Sequence, residues 1–308
     1  MIRYLLLSAA AAALVACSQK EKTEETPPAP AAVEEAAPVE EAAAPTSEER
    51  LDAVLAAQSD ETKARYQYRH PKETLMFFGV EPGMTVVDTL PGEPGWYTPI
   101  LLSYLGLEGR VIGADYSMQM WPLFKPYVDD AFLEKRKTWT ETYLSAAEAL
   151  RSPDAAPVSA FVYGSAPDEL NGTVDVVLMI RAAHHFNRLE DGRFFTEALG
   201  EIRDMLKPGG VLAVVQHRAP ESASDTWANG DNGYLKQSRV VSVIEGAGFE
   251  FVGSSEVNAN PKDAPTEEEL VWRLPPTLAT SADNPELKAQ MEAIGESDRM
   301  TLKFKKPE

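Results

Sequence analysis

The sequence predicts an α/β fold: a doubly wound, mostly parallel sheet with helices on both faces. Three observations predict it. Apolar runs of five to seven residues recur between residues 85 and 215, as strands buried on both faces require. Segments with helical periodicity separate these runs, which is the alternation that builds parallel sheets. The first run opens into a Gly- and Pro-rich turn followed by a helical segment, and in such sheets ligands bind beyond the carboxyl ends of the strands.

The elements follow in order. Thr85-Val86-Val87-Asp88-Thr89 reads as a buried strand and Trp96 to Leu105 as a helix. Arg110 to Asp115 is a second strand, followed by about thirty helical residues weakly broken by Pro122 and Pro126, since proline removes a backbone donor. Val158 to Tyr163 and Val174 to Ile180 are strands three and four. Phe194 to Leu206 is an amphipathic helix stopped by Lys207-Pro208-Gly209-Gly210, a run that cannot continue it. Val211 to Val215 is strand five; a helix over Val240–Ala247 and strands near Phe249–Val257 and Thr301–Phe304 complete the set.

Charge and cysteine usage narrow the function classes. The chain has 48 acidic against 29 basic residues, a net charge of -19. Such a surface repels phosphate backbones, so no nucleic-acid partner is expected. The single cysteine excludes an internal disulfide framework. Its place is informative: Met-Ile-Arg, an apolar stretch from Tyr4 to Ala16, then Cys17, the layout of a secretory signal. Leu14-Val15-Ala16-Cys17 resembles a bacterial lipobox. Residues 1–17 are therefore expected to be a lipoprotein signal peptide, with Cys17 lipidated. Ser18 after it favours the outer membrane, facing the periplasm. Residues 18–48 are rich in Ala, Pro and Glu and poor in the large apolar side chains that offset ordering entropy, so a disordered tether is expected there. Residues 49–308 form the folded domain.

The motifs of that domain resemble those of class I S-adenosylmethionine-dependent methyltransferases. The shared signature runs from Gly83-Met84-Thr85-Val86-Val87-Asp88, through Gly92 and Gly95, to Gly109-Arg110-Val111-Ile112-Gly113-Ala114-Asp115. It continues in Asp175-Val176-Val177-Leu178 and Leu206-Lys207-Pro208-Gly209-Gly210. The chain is similar, more narrowly, to a bacterial family of predicted methyltransferases in Arg69-His70-Pro71, Arg181 with His184, His217-Arg218-Ala219, Trp272-Arg273-Leu274-Pro275-Pro276 and Asp298-Arg299-Met300. The resemblance implies a seven-stranded Rossmann-like sheet with the last strand antiparallel. It implies S-adenosylmethionine as cofactor, with Asp88, Gly92 and Gly95 facing its methionine part and Asp115 accepting from both ribose hydroxyls. Ser165 and Ala166 would border the adenine, and Arg181 would join the cofactor contacts. Tyr116, with Met118, Met120 and Trp121, either flanks the adenine or packs as core. The chain departs from the family pattern at Glu93 and Pro94 in the glycine turn, and at Ala182-Ala183 before His184.

Only four histidines occur: His70, His184, His185 and His217. His184 and His185 leave strand four, His217 leaves strand five, and His70 precedes strand one. His70, His184 and His217 are expected to line one pocket as proton-transfer or orienting groups. His185 should point away if the strand pattern persists. No helical His-x-x-x-His or clustered carboxylate spacing is present, so a metal is not expected. Two functions stay open. One is a membrane-tethered methyltransferase acting on a small-molecule acceptor. The other is a catalytically degenerate protein of the same fold that binds a periplasmic small ligand or metal.

Overall fold

A computed structural model describes residues 45–308 apart from Pro126. The expected signal peptide, Cys17 and nearly all of the tether lie outside the described residues. The strands are β1 (Thr85–Thr89), β2 (Arg110–Asp115), β3 (Val158–Val162), β4 (Val174–Ile180), β5 (Leu206–Ala219), β6 (Leu235–Lys236), β7 (Glu250–Ser255) and β8 (Arg299–Lys305). Their order is β3-β2-β1-β4-β5-β8-β7, with the short β6 paired to the end of β5. Strands β1 to β5 pair in parallel, and β8 runs antiparallel to both β5 and β7. This is the α/β, doubly wound, Rossmann-like sheet expected from the sequence. The two-residue β6 is an addition to the seven expected strands.

Period-two alternation in the strands sorts their side chains onto two cores. Val87, Ile112, Val177, Met179, Leu212 and Val214 join one cluster, in which the helices Arg193–Met205 and Gln237–Gly246 bury Ala198, Leu199, Ile202, Val240 and Ile244. Their chain neighbours Val86, Val111, Val176, Leu178, Val211 and Ala213 belong to the other, with Leu75, Ile100 and Leu101 from helices Pro71–Phe78 and Thr98–Leu105. The helix Trp139–Leu150 adds Trp139, Tyr143 and Ala147. A methyl group at Gly113 in β2 would run into the Tyr143 ring, so only glycine lets this helix sit so close.

Several boundaries differ from expectation. The thirty-residue helix is three pieces: a 3-10 turn at Trp121–Phe124, then helices Asp130–Arg136 and Trp139–Leu150. Pro122 sits in the first turn of the 3-10 piece, and Asp129 caps the second through the Phe132 N–H at 2.7 Å. Helix Arg193–Met205 stops within one residue of the expected end, ahead of Gly209 and Gly210. They lie in an irregular start of β5, where the Gly209 N–H donates to the Lys306 carbonyl at 2.9 Å. Helices Ser47–Ala56 and Pro285–Ile294 were not anticipated.

Candidate functional site

The strand order reverses between β1, which has β2 on one side and β4 on the other, and a crevice beyond their carboxyl ends is where such sheets bind ligands. Asp88 and Asp115, both buried, stand at the carboxyl ends of β1 and β2. Burial pushes the Asp88 carboxyl up to about 7, opposed by a long hydrogen bond from Thr98 Oγ1 (3.4 Å) and by the charge of Arg181. Burial also raises Asp115, opposed chiefly by the charge and hydrogen bonds of Arg136.

Asp115 carries the main departure from expectation. Its Oδ2 accepts from Arg136 through Nε (3.0 Å) and Nη2, and from Trp121 Nε1 at 3.1 Å. Arg136 also pairs with Glu93 at 3.3 Å, and its guanidinium lies 4.6 Å from the centre of the Trp121 ring. The glutamate of the glycine turn is thus tied to the cation that covers Asp115. Asp115 Oδ1 is buried and has no partner among the described residues. The carboxylate offers a ribose one free oxygen instead of two. The residues fit a nucleoside at that single oxygen.

The other cofactor-side residues are placed as follows. In the turn after β1, Gly95 has φ 95°, and a Cβ there would strike Pro91. Gly92 has only backbone of Gly95 within 3.8 Å of such a Cβ, leaving that wall open. Tyr116 is buried, donates its hydroxyl to the Ala182 carbonyl at 3.2 Å and packs against Trp121 and Phe186. Ser165 is exposed and bonds to the Val162 carbonyl. The N–H groups of Gly164 (2.6 Å) and Ala166 (3.4 Å) donate to Glu201, a residue with no sequence signal for this role.

Past β4 the chain leaves the sheet at Arg181, whose φ of 59° is unusual for a residue with a side chain. A helix, Ala183–Arg188, then begins. The strand period therefore ends before the two histidines, and His185 does not turn away as expected. The His184 and His185 ring centres are 3.9 Å apart, and His185 stacks on Trp272 and meets Tyr116 and Phe124 edge-on. His184 and His217 lie 5.5 Å apart between ring centres. His70 makes no ring contact with them among the described residues; it forms the left-handed joint (φ 37°) before helix Pro71–Phe78, one residue beyond Arg69.

The histidine environment disfavours charge. His184 Nδ1 faces Gln216 Oε1 at 3.1 Å, leaving Nε2 buried without a partner among the described residues. Because amide oxygen only accepts, Nδ1 carries the proton and Nε2 the lone pair. Burial lowers this imidazole to about 3, and burial with the neighbouring His184 holds His217 well below its ordinary value. His217 Nδ1 lies 2.6 Å from Ser297 Oγ. Both are neutral imidazoles at neutral pH, not strong bases.

Four arginines not expected to act together converge beside them. Glu296, at the end of the segment before β8, accepts from Arg65 Nε (2.8 Å) and Nη2 and from Arg69 Nε (3.2 Å), and forms an ion pair with Arg299 Nη1 at 3.1 Å. Arg299 also donates to the carbonyls of Tyr68 (2.6 Å) and Ser297 (3.3 Å). Asp298, beside it in sequence, pairs with Arg218 instead. Arg181 completes the group, and its Nε is buried with no partner among the described residues. Burial, then Arg299, lowers the Arg181 guanidinium. A cavity of about 90 Å³ opens here, walled by Arg181, His217, Trp272, Pro275, Glu296 and Ser297. A larger groove of about 830 Å³ lies elsewhere, between the end of β5 and helix Gln237–Gly246; it is lined by the Arg218–Asp298 pair but by none of the four arginines, Glu296 or the histidines. No group of three His, Cys, Asp or Glu suited to a metal occurs among the described residues, nor is any of their helices long and apolar enough to cross a membrane.

No protein-family model and no curated protein matches the chain. Among solved structures it is similar to a putative methyltransferase in complex with the Trm112 activator of Haloferax volcanii, at 18% identity and TM-score 0.47, over 85% of this chain and 98% of that one. It is similar to a SAM-dependent methyltransferase from Aquifex aeolicus, at 19% identity and TM-score 0.45, over 68% and 93% of the two chains. It is also similar to geranyl diphosphate C-methyltransferase from Streptomyces coelicolor A3(2), at 14% identity and TM-score 0.48, over 82% and 87%. The fold class is defined by the strand order itself.

Proposed function

We propose that the domain is an S-adenosylmethionine-dependent methyltransferase acting on a small-molecule acceptor. The observation that carries this reading is the pair of buried carboxylates, Asp88 and Asp115, at the ends of adjacent strands beside the point of strand reversal, with Asp115 Oδ1 unpartnered among the described residues. A buried lone acceptor costs free energy until a donor reaches it, and a ribose hydroxyl is such a donor. S-adenosylmethionine, when bound, supplies a methyl group activated by its sulfonium. Asp115 holds the ribose, and the open side of Gly92 admits the methionine part. His217, on the cavity wall, orients the acceptor as a neutral hydrogen-bond partner, while His184 acts as a positioning residue held by Gln216. Transfer then depends on alignment more than on proton abstraction. His70 is given no step. Cys17 is proposed to anchor the protein by lipid to the outer membrane, with the domain in the periplasm.

The second reading, a degenerate protein of this fold that binds another periplasmic ligand, is favoured by one observation: Arg136 and Trp121 already occupy Asp115 Oδ2. Calorimetry of the full chain with S-adenosylhomocysteine separates the two. The methyltransferase reading expects saturable binding, and Asp115→Ala should weaken it about tenfold or more through loss of a charge-assisted hydrogen bond. Absence of heat at millimolar ligand would leave the second reading in place.

A further inference from the structure

We infer that the arginine group at the mouth of β4 and β8 is a binding site for a small oxyanion, a carboxylate or phosphate carried by the acceptor molecule. Calling that molecule an acceptor rests on the methyltransferase reading; the oxyanion site itself does not.

Arg65, Arg69, Arg181 and Arg299 supply four guanidiniums, and Glu296 is the one carboxylate that hydrogen-bonds to any of them among the described residues. Arg69, Arg299 and Glu296 are buried, at 6%, 3% and 3% exposure. Buried charge is tolerated when paired and costly when not. The nearest further acid, Asp88, acts on Arg181 only through space, and burial leaves it largely protonated below about pH 7. His184 and His217 are neutral there and add no negative charge. Arg181 and Glu296 line the cavity while Arg65, Arg69 and Arg299 lie outside its lining, so the net positive charge of the group reaches the enclosed space through Arg181.

The donors are aimed to use it. Arg181 makes no side-chain hydrogen bond among the described residues, and its Nε is fully covered. A planar guanidinium with its donors free matches the two oxygens of a carboxylate or phosphate. Its backbone is held in the left-handed region by the strand-to-helix exit, with its N–H bonded to the Val215 carbonyl at 2.6 Å, so the side chain is fixed toward the cavity from a strained position of the kind that gathers at functional sites. The cavity of about 90 Å³ exceeds what one water needs several-fold, and suits a single oxyanion group. His217 and Ser297, linked at 2.6 Å, form its opposite polar wall. Trp272 and Pro275 close it on the apolar side.

Inorganic phosphate and acetate, each titrated into the full chain without nucleoside and against chloride at equal ionic strength, test this. The readouts are the melting temperature and the His217 imidazole resonances. Phosphate, acetate or both should raise the melting temperature saturably and move the His217 signals; the tighter of the two identifies the oxyanion. Arg181→Gln should weaken that binding about tenfold or more while melting no lower than the parent without ligand, because it removes a cation whose covered Nε has no hydrogen-bond partner among the described residues. A parent with no response to either anion beyond that of chloride, or an Arg181→Gln protein that binds as the parent does, would overturn the inference. Neither result depends on S-adenosylhomocysteine binding, so failure here and failure of the methyltransferase reading are separable.

Discussion

Replacing His184 by Asn should make the protein less sensitive to acid. The imidazole is 2% exposed, and burial lowers it from 6.5 to about 3. In the unfolded chain it takes up a proton near pH 6.5; in the folded chain it stays neutral until about pH 3. A depressed folded value means that the stability is fully present above 6.5 and is lost as pH falls toward 3. At 1.36 kcal/mol per unit, the loss from this group is about 2 kcal/mol by pH 5 and about 5 kcal/mol by pH 3. His185 and His217 act in the same sense, since burial lowers both. Asparagine cannot take up the proton, yet its side-chain nitrogen can still donate to Gln216 Oε1 from near the Nδ1 position. Urea midpoints for parent and variant at about pH 7.5 and 5, converted to free energies, should show a pH-dependent loss smaller by about 2 kcal/mol in the variant. Equal losses in the two proteins would refute the claim that His184 is a buried neutral base.

Asp88→Asn acts with the opposite sign. Its carboxyl is raised from 3.8 to about 7, so stability is fully present below 3.8 and is lost as pH rises through 7; the variant should lack that loss, of about 4 kcal/mol between pH 4 and 8, in urea titrations. Arg136→Ala leaves Asp115 buried without its cation and should cost about 3–5 kcal/mol, and adding Asp115→Asn should return part of it in a double-mutant cycle. Cys17→Ala should yield a protein that is unprocessed or released from membranes, read by mass spectrometry and fractionation; a variant still processed and tightly membrane-bound would remove the lipid anchor from the account.

Much of the sheet was legible because its strands are apolar runs buried on both faces, with flanking turns that the backbone cannot mistake. The carboxyl-end positions of Asp88 and Asp115 came with it. What lay outside the sheet was harder. The Trp121–Leu150 region has helical periodicity throughout, but Pro122 and the Asp129 cap cut it into pieces, and the cut turns Arg136 onto Asp115. His185 was misplaced because Arg181 ends the strand and a helix starts two residues later. The arginine group is a product of long-range folding: Arg65 and Glu296 are 231 residues apart in sequence. Arg69, Arg181 and Arg299 each stood in a recognisable motif, but no local pattern joins them.

On this reading the crevice beyond β1 and β2 binds a nucleoside through Asp115. A crystal structure of the protein with S-adenosylhomocysteine tests it most directly. The ribose should be hydrogen-bonded to Asp115 Oδ1 and the methionine part should lie beside Gly92. A ligand bound elsewhere, or density showing Asp115 still held only by Arg136 and Trp121 at saturating ligand, would contradict it.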